Sequence, residues 1–204
     1  ETIDLGYYSS LYQNHISTEI TTAGRCAFYR ISYPQPGRLF IDASWFLGKD
    51  TIPDKREAQQ LVGTHVSIVS PTCVEGWSSV RGGWNNGDAY TVYFSLHTDK
   101  AFSVLQSDEQ TCRLAFADET VNIKVGISYV SCEKARANIP TNTFGQQLAT
   151  LRTEWQKMLS RLKYQGTEKN MRMFYTALYH VMLMPGNRTG ENPRWADSPY
   201  YDDY

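Results

Sequence analysis

Two places in this sequence set aromatic rings beside polar groups that can be held in place. Trp77 and Trp84 flank the glycine-rich stretch Gly76-Trp77-Ser78-Ser79-Val80-Arg81-Gly82-Gly83-Trp84. The tail from Asn187 to Tyr204 mixes Trp195, Tyr200, Tyr201 and Tyr204 with Glu191, Asp197, Asp202 and Asp203. Rings stack on the apolar faces of sugars while carboxylates and amides hold hydroxyl groups, so these are residue types of a carbohydrate site. Trp77, Trp84, Glu191, Asp202 and Asp203 are the candidate substrate contacts. The same compositions also suit two tryptophans packed under a long loop and a plain surface loop in the tail.

Other chemistries find less support. Glycoside hydrolysis needs two carboxylates about 5 to 9.5 Å apart, and the sequence identifies no such pair. Asp202 and Asp203 are adjacent and point to opposite sides of an extended segment, so they suit hydroxyl binding better than acid/base work. His15, His65, His97 and His180 are far apart, and no pair has the spacing of a helical or hairpin metal motif, so structural histidines are expected. No G-x-S-x-G elbow, P-loop or dinucleotide fingerprint is present. Cys26, Cys73, Cys112 and Cys132 form no C-x-x-C pair. Three disulfide pairings are open to them, but buried thiols are favoured because Cys112 shares a strand face with Leu114 and Phe116. Asn187-Arg188-Thr189 is an N-x-S/T sequon, equally explained as a chance match.

The elements that must position these groups change character along the chain. Up to about residue 131, apolar and polar residues alternate with period two. Tyr90, Val92, Phe94 and Leu96 face one way and Thr91, Tyr93, Ser95 and His97 the other, and Val121, Ile123, Val125, Ile127 and Tyr129 repeat the pattern. Turn residues at Pro34-Gln35-Pro36-Gly37, Gly48-Lys49-Asp50, Asn85-Asn86-Gly87-Asp88 and Asp118-Glu119 separate the runs, as an antiparallel β-sandwich of eight or more strands requires. Lys49 to Gln60 reads as a polar loop. From Asn142, Phe144, Leu148, Leu151, Trp155, Met158, Leu159 and Leu162 recur at helical spacing, with Gly166 as a stop. A second helix from about Thr167 to Met184 is apolar round nearly its whole circumference and ends at Pro185-Gly186. The expected fold is mainly β with C-terminal helices: an antiparallel sandwich, two α-helices and an irregular tail. Such a second helix must be covered on every side, and one sandwich with one other helix cannot do that. The chain is therefore expected to be a fragment, in keeping with a start at Glu1 that lacks a methionine or a secretory signal.

Composition bounds the partners. With 204 residues and 41% apolar content, the chain can bury a sizeable core. Its 20 basic and 21 acidic side chains nearly cancel, which gives no electrostatic footprint for nucleic acid or anionic membrane. No apolar run approaches a membrane span.

Several stretches together resemble glycoside hydrolase family 92, the calcium-dependent exo-acting α-mannosidases, most of all their fungal or related bacterial members. They are Glu19-Ile20-Thr21-Thr22 followed by Arg25 and Tyr29-Arg30; Gly126-Ile127-Ser128-Tyr129-Val130-Ser131 followed by Ala135-Arg136-Ala137-Asn138; Phe174-Tyr175-Thr176-Ala177-Leu178-Tyr179-His180; Arg188-Thr189-Gly190-Glu191-Asn192-Pro193; and Tyr200-Tyr201-Asp202-Asp203-Tyr204. The resemblance covers nearly the whole chain and rests on the order and spacing of these pieces. It implies a sandwich domain over 1–140 that is incomplete at its start, a helical linker over 141–184, and a loop over 185–204 entering an (α/α)6 barrel. It further implies inverting hydrolysis of terminal α-linked mannose from mannose-containing glycans, with calcium, by the full-length enzyme outside the cell or in the secretory pathway. The catalytic carboxylates and calcium ligands would lie further along the barrel, so no catalytic or metal residue carries over onto this chain. Alone it is expected to be inactive, with the rest of its own polypeptide as partner. The rival from another class is a non-catalytic carbohydrate-binding β-sandwich module that holds glycans on Trp77, Trp84 and the tail aromatics; a purely structural domain is a third.

Overall fold

The computed structural model describes residues 1–48, 58–83, 85–192, 199 and 201–202. Period-two alternation becomes strands. In chain order they are β1 (Thr2–Asp4), β2 (Tyr7–Leu11), β3 (Ser17–Ala23), β4 (Cys26–Ser32), β5 (Arg38–Asp42), β6 (Gln59–Ser70), β7 (Cys73–Gly82), β8 (Asn85–Thr98), β9 (Phe102–Ser107), β10 (Thr111–Phe116) and β11 (Thr120–Ser128). They form an antiparallel eight-stranded sheet in the order β1-β2-β3-β4-β11-β8-β7-β6, faced by a three-stranded sheet ordered β5-β10-β9. Val74, Leu96, Val121 and Ile123 from the large sheet meet Cys112, Leu114, Phe116 and Phe102 from the small one in the main core. Cys26, Cys73 and Cys112 are buried and Cys132 half-buried, all as free thiols. Burial pushes the Cys26 and Cys112 thiols up to about 11.

Two turn assignments move. Asn85 to Asp88 belong to β8, and the chain reverses one step earlier, where Gly82 and Gly83 take φ of 87° and 73°. Those left-handed values favour glycine, whereas Asn85 is free to pair with Gly82 in the ladder. Gln59 and Gln60, expected in a loop, open β6. Residues 49–57 of that expected loop lie outside the described residues.

Three helices follow the sandwich: α1 (Cys132–Ala137), α2 (Phe144–Leu159) and α3 (Glu168–Val181). The last two are the expected pair, starting at the Thr143 and Thr167 caps, and Thr143 with Gln146 makes a full capping box. The short α1 is an addition. Its six residues span less than two turns, too few for a periodic signal. It lies across β11, β8 and β7, on the face of the large sheet turned away from the main core. Close approach is possible because position 126 is glycine: a Cβ there would overlap the Ala135 carbonyl oxygen and Ile139. Further along the same face, α2 covers β3 and β4 and seals a second core of Cys26, Phe28 and Phe144, with Leu148 and Ile139 packed on it. The large sheet thus carries helices on the face opposite the main core, and Ser95, on the side of β8 that alternation assigns to polar residues, is fully buried.

The second expected helix is less apolar than its sequence suggests: α3 sets Glu168, Lys169, Arg172, Thr176 and His180 on one face and its apolar residues mainly on the other, and it meets α2 along one side only. Trp155 packs on Tyr179 at 4.6 Å between ring centres, and Tyr164 stacks on Phe174 at 4.9 Å. No residue of α3 is buried, and Met173 and Val181 are 62% and 75% exposed. Beyond it, β12 (Gly186–Asn187) pairs with β13 (Tyr201–Asp202) in a two-stranded ladder.

Candidate functional site at the junction of sheet and helices

Polar groups on the helix side of the large sheet fall into rows set by strand register. One row runs His65, Trp77, Tyr93 and Ser128 across β6, β7, β8 and β11. The next runs Ser67, Glu75, Ser95, Gly126 and Cys26, and the one after it Cys73, His97, Lys124 and Phe28.

The first row ends at a latch. Glu191 is only 2% exposed. Its carboxylate accepts hydrogen bonds from the Ser128 hydroxyl at 2.6 Å, the Asn138 side-chain amide at 2.8 Å and the Tyr129 backbone amide at 3.0 Å. Arg25 Nε stands 3.6 Å away, and the same guanidinium donates to the carbonyls of Asn187 at 2.7 Å and Thr189 at 3.3 Å. Burial by itself would raise the Glu191 pKa. The hydrogen bonds from Ser128, Asn138 and Tyr129, with the charge of Arg25, outweigh it and hold the carboxyl below the usual range. The guanidinium of Arg188 covers the Tyr129 ring at 5.0 Å. A loop that follows α3 is thereby tied to the ends of β4 and β11 and to the last turn of α1.

The second and third rows hold a cluster under α1. Glu75 receives Arg136 through Nε on Oε1 and Nη2 on Oε2, each at 2.8 Å, and the Ser95 hydroxyl on Oε1 at 2.8 Å. The Arg136 guanidinium lowers the Glu75 pKa against the opposing effect of burial. Ser95 Oγ lies 3.0 Å from His97 Nε2, and Cys73 Sγ lies 3.5 Å from the same nitrogen. Burial holds His97 below its ordinary value and raises the Cys73 thiol, so at neutral pH the pair is imidazole and thiol. Among the described residues this is where three metal-ligating side chains converge. The donors are sulfur, nitrogen and one carboxylate, whereas calcium takes six to eight oxygens; they do not fit calcium.

The candidate contacts are distributed unevenly. Trp77 is half-buried on the helix side of β7, its ring against Gly63 of β6. Glu191 has both carboxylate oxygens engaged within the chain. Asp202 is placed by backbone alone, opposite Gly186 in the β12–β13 ladder. Trp84 and Asp203 lie outside the described residues. Sequence reasoning singled out Glu191 but missed its partners, and missed the Glu75 cluster altogether. The usable signal was the alternation Cys73-Val74-Glu75 beside Ser95-Leu96-His97, which becomes a cluster only once Cys73 is known to stand opposite His97.

Comparison with known proteins bears on the whole of this arrangement. Residues 1–128 match the glycosyl hydrolase family 92 N-terminal domain, and residues 130–204 match the glycosyl hydrolase family 92 catalytic domain. An uncharacterized secreted glycosidase of Arthroderma benhamiae is 23% identical over 98% of this chain and 30% of its own length. The family GH92 α-mannosidase BT3965 of Bacteroides thetaiotaomicron superposes with a TM-score of 0.77 at 22% identity, over 90% of this chain and 27% of that one. The family GH92 inverting mannosidase BT2199 of the same species gives 0.70 at 22% identity, over 97% and 28%. The chain spans less than a third of the length of these relatives. The two family matches meet between Ser128 and Val130, where the Glu191 latch fastens helices to sandwich, and together they place the chain in glycosyl hydrolase family 92.

Proposed function

We propose that this chain supplies the sandwich and the entry to the catalytic domain of a glycosidase that removes terminal α-linked mannose from glycans with inversion, outside the cell or in the secretory pathway. The observation that carries the proposal is the unbroken family match from sandwich to helices. It is supported by a fold shared with proteins named α-mannosidase and inverting mannosidase, and by a relative called a secreted glycosidase.

In this reading the sandwich is a scaffold against which the active site is built. Glu191 acts as a positioning residue. By fixing the loop after α3 to Ser128, Asn138 and Arg25, it sets where β12 lies. Its partner β13 then carries Tyr201 and Asp202. Trp77, Trp84, Asp202 and Asp203 would contact the glycan. The carboxylates that protonate the leaving group and activate water, and the oxygen ligands of calcium, are assigned to polypeptide beyond this chain, which also covers the exposed side of α3.

The test uses the product of the complete reading frame on an aryl α-mannoside, with the released sugar followed by proton NMR. Inversion predicts β-mannose as the first anomer, with activity lost to a chelator and restored by calcium. First appearance of α-mannose, or release of a different sugar, would overturn the proposal.

A further inference from the structure

The cluster under α1 is not used by the reading above, and its geometry carries a separate conclusion. We propose that Cys73, Glu75 and His97 form a binding site for a divalent transition-metal ion of the zinc type, on the helix side of the large sheet. Their donor atoms all lie within 4.8 Å of one another and come from two adjacent strands, so the backbone ladder fixes their spacing. Zinc bonds of about 2.3 Å to sulfur and about 2.0 Å to nitrogen, at a tetrahedral angle, put S and N about 3.5 Å apart. Cys73 Sγ and His97 Nε2 stand 3.5 Å apart. The carboxylate completes three protein ligands, and Ser95 Oγ, 3.0 Å from His97 Nε2, is placed to give a fourth ligand.

The surroundings suit an ion. An ionised carboxylate offers about four lone-pair sites, and the hydrogen bonds from Arg136 and Ser95 use three of those on Glu75. Arg136 is the outer partner that fixes the carboxylate's orientation, as ligand carboxylates ordinarily require. Sulfur and imidazole select against calcium and magnesium. On binding, the Cys73 S–H bond breaks, its proton leaves to solvent and a sulfur–metal bond forms, with no change of oxidation state. Thiolate and carboxylate then balance the charge of the ion. The bound ion would cross-link β7 to β8 beneath α1.

The experiment titrates the chelator-treated 204-residue chain with Co2+, which reports thiolate ligation by a near-ultraviolet charge-transfer band and tetrahedral geometry by its visible bands. One equivalent should bind, displaced by Zn2+ and not by Ca2+. Cys73→Ser should abolish the charge-transfer band, and His97→Gln should weaken binding at least about 100-fold. Cys26→Ser and Cys132→Ser should leave both unchanged. X-ray absorption on the zinc-loaded wild-type chain should find one sulfur, which decides the matter even if Cys73→Ser fails to fold. Absence of a thiolate band at excess Co2+, its survival in Cys73→Ser, displacement by Ca2+, or zero or two sulfurs around zinc would overturn the proposal.

Discussion

Replacing Glu191 by alanine should detach the loop that follows α3, and the size of the effect can be worked from its partners. The change removes a carboxylate with no exposed side-chain surface and strands the donors of the Ser128 hydroxyl and the Tyr129 amide, while Asn138 loses one acceptor and keeps the Ile127 carbonyl. Breaking a buried pair by deleting one partner costs about 3 to 5 kcal/mol. Arg25 keeps 27% of its side chain in solvent and retains two carbonyl acceptors, so the lower end applies, about 3 kcal/mol. Glu191→Gln keeps the volume but loses the charge, and should cost about 1 to 3 kcal/mol. The pH dependence has a definite sign. The folded-state pKa of Glu191 lies below its ordinary value, so its contribution is complete above the unfolded pKa and is lost as pH falls through the folded one. Urea unfolding of wild type and variants across the acid range would measure both quantities, and amide exchange at Tyr129 and Asn187 would show whether the loss is local. Glu191→Ala within about 0.5 kcal/mol of wild type, with unchanged exchange at Tyr129, would refute the latch.

Gly126→Ala should force α1 off the sheet, because the new methyl group overlaps the Ala135 carbonyl; overpacking costs about 1 to 3 kcal/mol, read by chemical denaturation. In the chelator-treated chain, burial should make His97 titrate below its ordinary value by proton NMR, so stability rises with pH from its folded pKa up to the unfolded one, and His97→Gln should flatten that limb. The isolated chain should bind a hydrophobic dye or self-associate, since Met173, Val181 and Leu183 stand 62%, 75% and 47% exposed. A paired Met173→Glu and Val181→Lys change should reduce dye binding, and a dye-silent wild-type monomer would contradict the exposed α3 face.

What the sequence by itself determined was whatever depends on near neighbours. Alternation in β8, β10 and β11 names the residues that reach the main core, and Leu96, Cys112, Leu114, Val121 and Ile123 are all buried. Apolar residues at helical spacing from Asn142 and from Thr167 locate α2 and α3, because that spacing is local to each helix, and the structure puts the caps at Thr143 and Thr167. The family resemblance was legible for a related reason, as its motifs are contiguous runs. Tertiary structure decided the rest. Ser95, on the polar face of β8, is interior because α1, too short to announce itself, crosses it where Gly126 permits. Glu191 is a latch because the fold brings it to Ser128, 63 residues earlier, and to Asn138, 53 residues earlier. Cys73, Glu75 and His97 become one cluster because antiparallel register sets Cys73 opposite His97, and register follows from how a whole sheet packs: a slip of one residue would turn every core side chain of β8 toward the helices.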